Sequence, residues 1–126
     1  RFSEKSRLFQ QGIAVLGAYF TGKRSDARTI AARACDFRRR RAGLPKGRSM
    51  GCAFVNPPDR SAGELIETCG LKNPRVGGAR VSEIHANFIL NEGGTADDVL
   101  ALAELVKARV HMQTGITLRE EFRRIP

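Results

Sequence analysis

No cysteine in this chain has a partner at metal-ligand or redox spacing. Cys35, Cys52 and Cys69 are odd in number and form no CxxC pair, which argues against a disulfide framework or a structural zinc site. Cys35 and Cys69 are therefore expected to be buried, inert thiols. Histidine is scarce: His85 and His111 stand 26 residues apart, outside any HExxH context, so no zinc ligand set is signalled. There is no P-loop and no GxGxxG, and so no self-contained nucleotide fold. The longest apolar stretch, residues 13–20, is broken by Gly17 and is too short to span a bilayer. The opening Arg1-Phe2-Ser3-Glu4-Lys5 leads into no apolar signal core. The expected compartment is the cytoplasm, with no membrane partner.

What is present is one domain's worth of chain, 126 residues, 41% hydrophobic and 28% charged, an ordinary composition for a globular protein. The net charge of +9 is unevenly placed. Residues 1–50 hold 13 Lys/Arg against 3 Asp/Glu, and residues 51–126 hold 9 against 10. The excess centres on Arg38, Arg39, Arg40 and Arg41. Such a run serves a polyanion, a single phosphorylated ligand, or a solvated helix face. Phe37 is the only aromatic near it, which leaves no stacking platform for single strands.

Residues 11–20 are apolar and β-prone between polar flanks and read as a buried strand. Ser25 is placed to cap a helix with Ile30, Ala34 and Phe37 on one face and arginines at its negative C-terminal end, before Gly43 and Pro45 stop it. A Gly/Pro-punctuated stretch follows, with Cys52-Ala53-Phe54-Val55 as a short strand-like core. Residues 62–69 read as a short helix capped by Ser61 and ended by Gly70. Gly77-Gly78 marks a tight bend, residues 87–91 a strand, and Gly93-Gly94 a turn. Thr95 opens the clearest helix: Val99, Leu102, Ala103, Val106 and Val110 form one stripe, Asp97 and Asp98 occupy the first turn, and Gly115 ends it. Residues 116–125 read as a final strand. The order β-α-β-α-β-α-β is irregular enough to predict an α+β fold, a small mixed sheet packed with helices.

For chemistry the richest segment is Gly47-Arg48-Ser49-Met50-Gly51-Cys52-Ala53-Phe54-Val55-Asn56-Pro57. Glycine beside a thiol permits close approach of a ligand. Asn56 before a proline is held extended, so its amide is free to face a ligand rather than its own turn. Taken alone, these features also suit a plain loop. A Cys52–His85 nucleophilic pair has no support from spacing.

The ordered runs Cys52-Ala53-Phe54-Val55-Asn56-Pro57-Pro58, Ala62-Gly63-Glu64-Leu65-Ile66-Glu67, Gly70-Leu71-Lys72, Arg75-Val76-Gly77-Gly78-Ala79 and Val81-Ser82-Glu83-Ile84-His85-Ala86-Asn87-Phe88-Ile89-Leu90-Asn91 resemble the signature of the bacterial UDP-N-acetylenolpyruvoylglucosamine reductases. The ending Leu118-Arg119-Glu120-Glu121-Phe122-Arg123-Arg124-Ile125 is similar to that family's close. The resemblance is dense from Arg48 to Ile125 and thinner before it, where Arg1-Phe2-Ser3 resembles the tail of a Y-R-x-S motif.

The resemblance implies the carboxy-terminal, substrate-binding part of an enzyme in peptidoglycan precursor synthesis. In that family NADPH reduces bound FAD, the flavin delivers hydride to the enolpyruvyl ether of a UDP-sugar, and the neighbouring carbon is then protonated. The family's proton-donor serine falls on Cys52, a departure that keeps the chemistry, since a thiol is also a proton donor. Its late glutamate falls on Glu121, while Glu120, on the opposite strand face, reads as a solvated carboxylate. Asn56 and Gly51 match positions at the substrate, and His85 lies on a position near it. The phosphate-binding arginine falls on Arg40, with Arg39 and Arg41 as one-residue alternatives. Val55 replaces a position that is commonly polar.

The resemblance divides the chain into residues 1–47, a junction strand and basic helix, and 48–126, the substrate-binding core. Flavin binding and a second catalytic arginine are expected upstream. These residues alone are therefore expected to hold no FAD tightly and to be inactive, and the enzyme to be a monomer without a nucleic-acid partner. Two rival readings are a small basic nucleic-acid-binding module and a flavin-less UDP-sugar-binding remnant.

Overall fold

A computed structural model describes residues 16–123. Among them the elements run α1 (Ala27–Ala42), β1 (Ser49–Cys52), α2 (Ala62–Thr68), β2 (Arg75–Val76), β3 (Ala79–Val81), β4 (Phe88–Asn91) and α3 (Ala96–Thr114). The chain divides into two compact units, Arg1–Cys35 and Asp36–Pro126.

In the first unit the strand expected over residues 11–20 does not form where it is described. Residues 16–20 have no regular structure, and Leu16, Tyr19 and Phe20 are exposed; residues 11–15 lie outside the described residues. A strand exists only by sharing its backbone hydrogen bonds with a neighbour, and residues 16–20 pair with no strand among the described residues. α1 starts on Asp26 rather than Ser25: the Asp26 carboxylate accepts the Thr29 N–H at 2.8 Å, and that bond holds its pKa below the ordinary value. No residue of α1 is buried. Its intended inner face, Ile30 and Phe37, is exposed, as is Cys35, against the expectation of a buried thiol. Arg39, Arg40 and Arg41 occupy its last turn, where cations complement the helix dipole.

The second unit follows its local sequence signals closely in the helices. Ser61 caps α2, its hydroxyl accepting the Glu64 N–H, and Gly70 with φ 70° lets the chain turn away. Thr95 caps α3 in a reciprocal box: its hydroxyl accepts the Asp98 N–H at 3.2 Å, and Asp98 accepts the Thr95 N–H at 2.9 Å. Gly115, in the left-handed region, ends the helix.

The α+β class is as expected. The sheet is antiparallel throughout, in the order β1-β4-β3-β2, rather than mixed. The hairpin of β2 and β3, too short to leave a periodic pattern, turns on Gly77-Gly78, and a six-residue loop returns β3 onto β4. Such short links permit only antiparallel pairing. The final strand expected over residues 116–125 reduces to one bridge, Phe54 with Glu120; residues 124–126 lie outside the described residues. Leu102, Ala103, Val106 and Val110 of α3 are fully buried in one cluster with Ala79, Val81 and Ile89 of the sheet, Leu65 and Ile66 of α2, Phe54 and Leu118.

Two glycine pairs join the hairpin to the start of α3. A Cβ on Gly78 would run into the backbone of Gly94, and one on Gly77 into the Asp98 carboxylate. That carboxylate also accepts the Gly78 N–H at 3.3 Å. Gly78→Ala is therefore expected to cost about 3 kcal/mol, at the upper end of overpacking effects, measured by urea unfolding; a loss under about 1 kcal/mol would mean that the hairpin gives way freely.

The N–H groups of Thr95 and Gly78 hold the Asp98 carboxyl below the ordinary aspartate value. A depressed folded-state pKa adds stability above the unfolded value and loses it as pH falls through the folded one. Asp98→Asn should lower the thermal midpoint at neutral pH, and the two proteins should converge below about pH 4. An equal gap at pH 7 and at about pH 3 would assign the effect to shape rather than charge.

Candidate active site

Side chains alternate across a strand, and β3 and β4 use this to make two unlike faces. Ala79, Val81 and Ile89 enter the core against α3, whereas Arg80, Phe88 and Leu90 stand outside that cluster. Cys52 is the register partner of Phe88, so its thiol shares the face turned away from α3. Between Ser49, opposite Leu90, and Cys52, opposite Phe88, two residues of β1 face one of β4. Gly51, with φ 90°, occupies this bulge, a conformation that a side chain would strain.

Beyond the bulge the chain leaves β4 and is held from two sides. On one edge the Val55 N–H donates to the Arg119 carbonyl and the Glu121 N–H to the Ala53 carbonyl, both at 2.9 Å. On the other, the Asn87 carbonyl accepts the Ala53 N–H at 2.7 Å. The Asn87 side chain accepts the Phe54 N–H at 2.9 Å and donates to the Phe54 carbonyl at 2.8 Å. Asn87 is 2% exposed, and its carboxamide replaces the strand neighbour that Phe54 lacks.

This pairing brings Cys52 and Glu121 together and sorts the two glutamates. Glu120 meets the Lys107 ammonium of α3 at 3.3 Å, and Glu104 meets the same ammonium at 3.0 Å. Glu120 is thus an ion-paired, half-buried group and not the solvated carboxylate that its sequence position suggests. Glu121 is exposed on the other side. The Cys52 thiol is half-buried; burial raises its pKa, and the Glu121 carboxylate raises it further. The thiol therefore stays protonated at neutral pH.

The other sequence-predicted residues fall in three places. Asn56 does not simply point outward: its Oδ1 accepts the Ala62 N–H at 2.9 Å and caps the start of α2, leaving Nδ2 for a ligand. His85 is half-buried. Its Nδ1 accepts the Asn87 N–H at 3.2 Å, and its ring lies 4.9 Å from Phe88, tilted by 53°. Gly63 leaves room for that ring, since a Cβ there would press on it. A chain of contacts thus links Cys52, Phe88, His85, the first turn of α2 and Asn56. Arg40 is not among them: it is exposed on α1 and paired with Asp36 at 2.8 Å.

A cavity of about 600 Å³ opens on the Leu90 side of this face, lined among others by Pro45, Lys46, Arg80, Ser82 and Glu83. Arg80 is oriented by Glu92, which also takes Arg75. Asn87 and Lys107 are the site's supports that the sequence reading missed. Asn87 carried one signal, an amide set directly before the apolar run of β4.

The family described as UDP-N-acetylenolpyruvoylglucosamine reductase, C-terminal domain, matches residues 44–125. Reductases of this name from Nitrobacter hamburgensis and Geobacter sulfurreducens are 36% and 43% identical over 99% and 89% of this chain, and over 42% and 38% of their own lengths. The crystal structure of UDP-N-acetylenolpyruvylglucosamine reductase from Thermus caldophilus superposes with a TM-score of 0.68 at 43% identity, covering 80% of this chain and 36% of that one. The chain spans about two fifths of the length of these curated relatives. It belongs to the UDP-N-acetylenolpyruvoylglucosamine reductase family, and residues 44–125 are that family's C-terminal domain.

Proposed function

We propose that this chain binds the UDP-sugar and donates the proton in a flavoprotein reductase that converts UDP-N-acetylenolpyruvoylglucosamine to UDP-N-acetylmuramate with NADPH. The reading places that step in the cytoplasm, in a monomeric enzyme. The observation that carries it is a half-buried thiol, Cys52, kept protonated beside Glu121 on the sheet face away from the core. The raised pKa keeps the proton on sulfur at neutral pH, so a donor is in place when a nearby carbon becomes electron-rich.

The described residues do not fit FAD. The glycine pairs that would otherwise cradle a pyrophosphate are filled by each other and by Asp98. A flavin held by a separate flavin-binding part, as in the reductases this chain resembles, would supply the hydride chemistry. Cys52 Sγ would give its proton to the adjoining carbon and be left as a thiolate, which solvent water reaching the half-buried sulfur reprotonates. Burial and the neighbouring Glu121 charge return it to the thiol form. Asn56 Nδ2 and the Gly51 backbone meet the substrate where the bulge leaves no side chain in the way. His85 sets the loop beneath them. Arg40, exposed and able to exchange Asp36 for a phosphate, grips the diphosphate. This gives the arginine run a small phosphorylated partner in place of a nucleic acid.

In the enzyme with its flavin-binding part present, Cys52→Ala should leave flavin reduction by NADPH intact and slow reoxidation by substrate about 10²–10⁴-fold. Cys52→Ser should retain substantial activity, with the alkaline limb of the pH profile moved upward. Stopped-flow flavin absorbance separates the two half-reactions, and parental reoxidation in Cys52→Ala would remove Cys52 from the chemistry. Removing the neighbouring charge, Glu121→Gln, should lower the thiol pKa and speed alkylation of Cys52 by iodoacetamide at about pH 8.

Arg40→Ala should raise KM for the UDP-sugar roughly tenfold to a hundredfold, the worth of one charge-assisted bond, with flavin reduction unchanged. An unaltered KM in the single variants at Arg39, Arg40 and Arg41 would return the cluster to a solvated helix end.

A further inference from the structure

Cys52 is the last residue of β1, whereas Glu121 lies on a segment that pairs over a single bridge. Their relative placement passes through one short stretch of backbone. The Ala53 carbonyl accepts the Glu121 N–H, the Val55 N–H donates to Arg119, and Phe54 bridges Glu120 between them. That stretch leaves β4 past Cys52, so its other edge would present a bare N–H and C=O to the protein interior at Phe54, which is 1% exposed. An unpaired buried peptide group of this kind is costly, so the stretch keeps its place only if that edge finds a donor and an acceptor. The Asn87 side chain closes the edge at both atoms, 2.9 Å and 2.8 Å away, and its own carbonyl takes the Ala53 N–H at 2.7 Å. Neither Asp nor Leu, both similar in size, offers one donor and one acceptor at neutral pH.

We propose that Asn87 is a positioning residue for the reaction: by holding the N–H and C=O of Phe54 with the two ends of its carboxamide, it fixes the register in which Cys52 and Glu121 face each other. The proposal rests on the proton-donor reading above for its effect on rate, but not for its effect on geometry. Asn87 touches no reacting atom in this account. Its influence travels through the Phe54 peptide and the hydrogen bond between Ala53 and Glu121.

The test uses the enzyme with its flavin-binding part present and three variants: Asn87→Asp, which keeps an acceptor and loses the donor; Asn87→Ser, which shortens the reach; and Val106→Ala, a core truncation on α3, across the sheet from the face that carries the thiol. For each, thermal midpoint, kcat, KM and the pH profile of Cys52 alkylation by iodoacetamide are measured. The two Asn87 variants should lose kcat by about 10²-fold, as expected for a displacement near 1 Å, with KM within about threefold of the parent. Their alkylation midpoint should fall towards the ordinary thiol value as Cys52 parts from Glu121 and becomes more exposed. Val106→Ala should lower the thermal midpoint while moving neither kcat nor the alkylation profile. Folded Asn87 variants with the parental kcat and alkylation midpoint would overturn the proposal. So would failure of both to fold while Val106→Ala folds, since Asn87 would then hold the fold rather than the site. Parental activity in Cys52→Ala would sink the donor reading instead, and the alkylation profile would still decide the role of Asn87.

Discussion

The backbone of one buried residue, Phe54, is the constraint on which the rest of the site depends. Its side chain fills the core with Leu65, Ile66 and Leu118, so it cannot move without opening a cavity, and cavities in a close-packed interior cost several kcal/mol. Its peptide groups meet the Asn87 carboxamide on one edge, while Ala53 and Val55 meet the C-terminal segment on the other. Packing fixes where the stretch sits, and hydrogen bonds fix its register. The groups attached on either side inherit that precision: Glu121, whose N–H the Ala53 carbonyl holds, and the thiol of Cys52 next to Ala53.

Electrostatics follow from the same alternation. Adjacent glutamates are sent to opposite faces. Glu120 is neutralised by Lys107, a lysine that Glu104 also holds. Glu121 is left as an exposed charge beside Cys52, where it adds to the effect of burial in keeping the thiol in the acid form. A cysteine acting as nucleophile needs the reverse environment, a cation or a helix N-terminus that stabilises thiolate. The surroundings of Cys52 therefore keep it a thiol and oppose its action as a nucleophile.

How much of this was legible in the sequence depends on the range of the forces involved. α2 and α3 were readable because their caps are local: Ser61 with Glu64, and Thr95 with Asp98, lie within one turn. The apolar stripe of α3 was readable from period alone. The hairpin of β2 and β3 was seen only as its Gly77-Gly78 bend, because strands of two and three residues are too short to show alternation. Residues 16–20 had the composition of a strand without a partner, and the C-terminal segment had the alternation of a strand but pairs over a single bridge. In the candidate site, ordered motifs pointed to Cys52, Asn56, His85 and Glu121, and period-two alternation separated Glu121 from Glu120. Asn87 could not be read, since its task is to serve a residue 33 positions away. The Oδ1 of Asn56 was likewise claimed by Ala62, a partner that only the folded loop supplies.

The contact between the hairpin and the head of α3 has a bearing on how the unit breathes. Gly78 and Gly94 approach so closely that no side chain fits between them. Asp98 gathers the amides of Gly78 and Thr95, and Asn91 those of Gly93 and Gly94. Amide hydrogens in such a knot are freed in pairs when the oxygen they share moves away. Their exchange with water is tied to a single opening in which the hairpin turn and the first turn of α3 come away together, so a stretch at the surface of the protein carries the protection of its interior.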